Sequence, residues 1–175
     1  MESLKTELFK ILLKNSLATN NCFDIEYTFN SMVINVGIIK LAISDIDIYL
    51  IFSIPDTDSK NIFFFFFFNE YKVASLAVAY CEYYTYGKET NFGEYISFTE
   101  VSLIELQHID GIILLDASDS MVLEEYRHSL EVNGMCFNTH LCVPYNKQEY
   151  EILDNYGLYE MLNYFEDVDK NFMKF

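Results

Sequence analysis

The sequence predicts a single α+β domain in which helices cover a mixed, largely antiparallel central sheet. Apolar segments of strand length bounded by turn residues predict the sheet, and stretches with helical spacing of apolar residues predict its cover. A length of 175 residues is that of one domain with a substantial core. A hydrophobic fraction of 51%, with 14 Tyr and 16 Phe, excludes a disordered chain despite a net charge of −16. Residues 1–175 are therefore read as one domain, without internal repeat or linker.

In order, Leu4, Leu8, Ile11 and Leu12 fall on one helical face, predicting an amphipathic helix over 2–16 that ends before the polar segment 16–21. Phe23, Ile25, Tyr27 and Phe29 alternate with Asp24, Glu26 and Thr28, the pattern of a half-buried strand. Asn30-Ser31 turns the chain into a strand over 32–43, with Gly37 as a candidate bulge. Residues 46–54 continue the sheet and 55–59 turn. Residues 63–68 are all Phe, which places aromatic rings on both faces of a strand, so both faces need cover and the strand should be central. Val73, Leu76, Ala77 and Tyr80 then give the covering helix, over 71–85.

The C-terminal half opens with an apolar strand over 109–116. Residues 120–132 read as a helical turn over 121–127 followed by an extended piece, 128–132. Asn133-Gly134 suits the positive φ angles of a type I′ hairpin turn. A strand follows over 135–145, in which Pro144, lacking an N–H, is expected to end the ladder. Asn146 with Glu149 three residues on is an N-cap pair, and Gly157 marks a stop or kink in the helix that follows.

This succession resembles the suppressor of fused (SUFU-like) domain family. The features that carry the resemblance are Val143-Pro144 followed by a polar residue and Glu149, Gly157, and the closing turn Leu158 to Leu162. Upstream they are the apolar strand 62–68, the helix 73–84, the turn from Tyr86 to Gly93 and the strand Ile96-Ser-Phe98. The likeness covers roughly residues 60–166, and the family's N-terminal Asp-containing strand has no match in 20–50. It implies a protein that works by binding protein: stand-alone bacterial members are commonly immunity proteins encoded beside secreted polymorphic toxins, and eukaryotic members hold a transcription factor. A single Arg127 among mostly Lys cations, with many Ile, Asn, Phe and Tyr, suggests an AT-rich genome and suits a bacterial source.

Charge points the same way. A net charge of −16 and an isoelectric point near 4.3 argue against nucleic acid, whose binders need a basic face, and against an anionic membrane surface. An acidic chain attracts a basic protein, although acidity also serves simply to keep an apolar protein in solution. Between Glu149 and Asp169 the charged residues are all acids. From this stretch Asp154, Glu160, Glu166 and Asp167 are the expected partner-binding residues, the partner being a toxin with a basic surface, for instance a nuclease, neutralised by occlusion. The alternatives are an adaptor for a basic endogenous regulator and a Mg²⁺-dependent protein. No run of about 18 uncharged apolar residues occurs and the N-terminus mixes charges, so the chain is expected to remain in the cytoplasm.

Residues suited to catalysis are few. Asp116-Ala-Ser-Asp-Ser120 has the D-x-S-x-S pattern in which von Willebrand A-type domains hold Mg²⁺, which would make Asp116, Ser118 and Ser120 ligands. Too little chain follows Ser120 to supply the rest of such a site, and a strand leading into an Asx or Ser-capped turn explains it as well. His108, His128 and His140 are the available imidazoles. His140 with Cys136 or Cys142 could form a base and nucleophile, but no orienting carboxylate or glycine-framed turn accompanies them, and a structural histidine is the simpler reading. Cys22, Cys81, Cys136 and Cys142 lack C-x-x-C spacing and read as free thiols. Cys136 and Cys142 would be about 20 Å apart along one strand. No glycine-rich phosphate loop or zinc-protease motif occurs, so neither cofactor nor catalytic residue is assigned, and a binding protein is expected rather than an enzyme.

Overall fold

The computed structural model describes residues 3–15, 17–42, 47–68, 71–98, 109–117, 123, 126 and 128–170. Helix α1 (Leu4–Leu12) starts at Ser3, whose side chain accepts from the Thr6 N–H at 3.2 Å. Strands β1 (Ala18–Phe29), β2 (Met32–Leu41), β3 (Ile48–Ile54) and β4 (Asn61–Phe68) form an antiparallel meander. Then come α2 (Lys72–Thr85), β5 (Tyr95–Ser97), β6 (Gly111–Asp116), β7 (Ser129–Val132), β8 (Met135–Tyr145), α3 (Lys147–Tyr156) and α4 (Leu158–Asp167).

One sheet holds these strands in the order β1-β2-β3-β4-β8-β6-β5, with β7 also paired to β8. The β4–β8 pair is parallel, Phe63 opposite His140, and it joins the N-terminal meander to the C-terminal strands. Strands β6 and β7 both run antiparallel to β8 on the edge away from β4, β6 along residues 140–145 and β7 along 135–138. The fold is thus α+β with a mixed sheet, as the sequence predicts.

Alternation along the strands sorts the core into two faces. Ile38, Ile51, Phe63, Phe65, Ile112, Leu114 and Cys142 lie under α2, which buries Ala74, Ala77, Val78 and Cys81 against them. On the other face Leu50, Phe52, Ile62 and Phe64 meet Leu8 and Leu12 of α1, while Ile113, Leu115, Leu141 and Val143 meet Met161 and Phe165 of α4. Phe63, Phe64 and Phe65 are fully buried, each contributing about 2–3 kcal/mol of apolar transfer. β4 is central, as expected, and both covering layers are helical.

Three expectations are corrected. β1 begins at Ala18, inside the polar segment 16–21 that the sequence reading places before the first strand, and the irregularity in the sheet lies there, between Ala18 and Cys22. Gly37 is no bulge: it pairs in register with Asp24 and Phe52, and a Cβ on it would run into the Phe52 ring, so glycine serves close approach. Pro144 does not end the ladder, since β8 continues to Tyr145, whose carbonyl accepts from the Asp110 N–H at 3.1 Å. The Pro144 carbonyl, and with it the ring nitrogen, points away from β6 toward Lys170 Nζ at 2.7 Å, so no ladder N–H is missed. The 121–127 helical turn lies, apart from Leu123 and Tyr126, outside the described residues, whereas 128–132 supplies β7.

Candidate functional site

The predicted partner residues sit on the α3–α4 pair, and local chemistry sets the pair's shape. The Asn146 side chain accepts from the Glu149 N–H at 3.0 Å and Glu149 Oε2 from the Asn146 N–H at 2.8 Å, a complete capping box that starts α3. Gly157, at φ 88°, ends α3 and starts α4. α4 closes with a Schellman turn: Asp169 lies in the left-handed region at φ 51°, the Asp169 N–H donates to Glu166 O at 3.1 Å and the Lys170 N–H to Phe165 O at 2.9 Å. Ile152, Leu153, Leu158 and Leu162 then face the sheet. Tyr150 of α3 stacks on Tyr145, ring centres 5.8 Å apart, and meets Tyr95 edge-on at 5.4 Å.

With the inner faces so committed, the acids face outward. Asp154, Glu160, Glu166 and Asp167 are all exposed, as are Glu151 and Asp169. Glu160 and Asp167, seven residues apart, share one side of α4. Glu149 does not belong with them. It is 5% exposed and ion-paired with Lys170 Nζ at 2.6 Å, which removes it from the outward field. Sequence reasoning also missed Tyr156 and Tyr159, 73% and 74% exposed, which flank Gly157 between Asp154 and Glu160. Two large rings set among carboxylates, with no cation between them, can pack against a partner while the acids orient it. A Tyr-Gly-Leu-Tyr junction between two helices was the available signal.

The other candidate residues are dispersed. Asp116 Oδ2 lies 2.8 Å from His128 Nδ1, a pair open to solvent on the histidine side. Ser118, Ser120 and His108 lie outside the described residues, and among the described residues no group of three or more His, Cys, Asp or Glu is placed to hold a metal. His140 is buried on the α2 face, stacked on Phe63 with ring centres 5.7 Å apart. Its Nε2 is 2.9 Å from Thr90 Oγ1, and Thr90 Oγ1 is also 2.9 Å from Asn61 Oδ1. With the hydroxyl proton given to Asn61, Nε2 carries the proton of the histidine bond. Burial pushes this imidazole down to about 4, against the pull of Glu94 and Asp116. Cys142 is buried beside Cys81, whose thiol burial and Cys142 push well up, and Cys136 is exposed on the strand. His140 is thus committed to Thr90, and its surroundings are those of a structural residue.

Comparison with protein-family models, with curated proteins and with solved structures yields no match. No helix among the described residues is long and apolar enough to cross a membrane.

Proposed function

We propose that this protein binds a basic partner protein through the outer face of α3 and α4 and neutralises it by occlusion, as an immunity protein does a cognate toxin. One observation carries the reading: Asp154, Glu160, Glu166 and Asp167 are all exposed on α3 and α4, as are Tyr156 and Tyr159 at the junction of the two helices, and no Lys or Arg lies between Glu149 and Asp169 in the sequence. The likeness of residues 60–166 to the SUFU-like family supports the same class of function. Carboxylates on this face would speed and orient encounter with a positive groove, and the two rings would supply affinity once water is excluded. A nuclease, whose substrate groove must be positive, has the complementary surface.

The test is capture of the product of the neighbouring gene by the tagged chain, with kinetics at low salt and at about 0.5 M salt, where exposed charges are screened. Reversal of Asp154, Glu160, Glu166 and Asp167 to Lys should slow association at least about tenfold. Tyr156→Ala with Tyr159→Ala should instead speed dissociation, and both variants should lose protection against the partner's toxicity. Capture of a partner that is harmless when expressed alone would replace neutralisation with the adaptor reading. Capture indifferent to both variants would remove the α3–α4 face from the proposal.

A further inference from the structure

A cavity of about 590 Å³ opens where β2 begins and β3 ends, bounded by the turn 55–59, the start of α1 and the β7–β8 hairpin. One of its lining residues is Glu82 of α2, 2% exposed, whose Oε2 has no hydrogen-bond partner. Also on its lining is Asp56, which Tyr86 Oη reaches at 2.6 Å and the Asp58 and Ser59 N–H groups at 2.8 and 3.0 Å. Burial works against the Asp56 charge, but these hydrogen bonds outweigh it and lower the carboxyl, so a fixed anion borders the cavity. Leu4, Ile34, Ile54, Pro55 and Met135 make the rest largely apolar, and Lys5, the cation on the lining, is bound to Asp24 at 2.7 Å.

Whether Glu82 is ionised or carries its proton on Oε1 toward the Ser53 and Ser59 hydroxyls, Oε2 is left without a donor. Either state is an unmet polar group at the border of a space large enough for a ligand. We infer that the cavity binds an ammonium or guanidinium group carried on an apolar stem, with Glu82 Oε2 as its anchor and the stem against Leu4, Ile54 and Met135. The group's source is a free amine or a Lys or Arg side chain of another protein. This site is independent of the α3–α4 surface: β8 runs from Met135 at the cavity to Tyr145 beneath α3, a span of about 33 Å.

Proton linkage follows from the same contacts. Burial raises Glu82 to about 7, with Asp56 adding to the rise and the Ser59 and Ser53 hydroxyls opposing it. Cys81 and Tyr86 are titratable groups that feel its charge, and Lys5 lies on the same cavity lining. A bound cation should therefore expel the Glu82 proton, and affinity should fall as pH drops below neutrality.

The experiment is calorimetric titration of the full chain with n-butylammonium, n-butylguanidinium, n-butanol and Nα-acetyl-lysine amide, in two buffers of different ionisation enthalpy. Expected are saturable binding of a cation, proton release at pH 7, no binding of butanol, and at least tenfold weaker binding by Glu82→Gln. Met135→Trp, which narrows the cavity and leaves Glu82 in place, should weaken binding as well and covers the case in which Glu82→Gln fails to fold. Preference for butylammonium would assign a free amine, and preference for the lysine derivative a protein side chain. Binding equal in wild type and Glu82→Gln, or no saturable binding of any cation, would overturn the site and leave a hydrated cavity only.

Discussion

Lys170 Nζ lies 2.6 Å from Glu149 Oε2 and 2.7 Å from Pro144 O, so the residue that follows α4 fastens the first turn of α3 and the end of β8 at once. The Schellman turn at Asp169 sends the chain back to make this contact. Both side chains are nearly buried, 13% and 6% exposed, so loss of one partner strands the other in a poorly solvated place. Lys170→Met should destabilise the fold by about 3 kcal/mol in urea denaturation, with little dependence on salt. Glu149→Gln should cost less, because the amide oxygen still accepts in the capping box. Additive losses in the double variant would show that the pair is not coupled.

Asp169 holds the left-handed position of that turn at φ 51°, where a side chain is tolerated at a cost and glycine is free. Asp169→Gly should therefore raise stability by about 0.5–1 kcal/mol. Asp169→Asn removes the same charge but keeps a Cβ, and should gain less. Equal gains in thermal melts would assign the effect to charge and remove the backbone argument.

Phe52 lies over Gly37 in the adjacent strand, its ring edge-on to Phe9 of α1 at 5.2 Å. A methyl group at Gly37 has to displace that ring and with it the α1 contact. Gly37→Ala should cost about 3 kcal/mol, the upper range for overpacking. In a Phe52→Leu background, where the ring is gone, the same substitution should cost under about 1 kcal/mol. An unchanged cost in that background would place the strain in the backbone instead.

These residues also show what the sequence discloses. Asn133 and Gly134 adopt φ 53° and 78° and Asn146 and Glu149 close their box because such chemistry is settled within four residues. The six phenylalanines signal a central strand because no solvated strand would carry them on both faces. Gly37, Pro144 and Glu149 mislead because Phe52, Lys170 and the open side of β8 decide their roles, and those lie far along the chain. The α3–α4 acids were legible as a run of one sign. Glu82 was not, since a single glutamate on an apolar helix discloses neither its burial nor the cavity beside it.

His140 and Glu82 set opposing pH gradients on stability. Burial holds His140 near 4 when folded, against 6.5 in the open chain. Below 6.5 the unfolded chain takes up a proton that the folded one refuses, so stability falls as pH drops from 6.5 to about 4. Glu82 behaves in the opposite sense: its carboxyl, buried, titrates at about 7 against 4.5 in the open chain. Between those values the folded chain keeps a proton that the unfolded one has lost, so stability falls as pH rises through the window and levels off above 7. Each gradient amounts to about 3 kcal/mol, and between 4.5 and 6.5 they cancel in the wild type. Glu82→Gln should therefore gain stability with rising pH up to about 6.5, and His140→Gln, which still donates to Thr90, should lose stability with rising pH up to about 7. Repulsion from the net charge is nearly common to all three proteins, so it largely drops out of differences taken against the wild type. Urea denaturation from about pH 4 to 8 decides the matter, because profiles that run parallel in the three proteins would mean that neither group is buried in the state described.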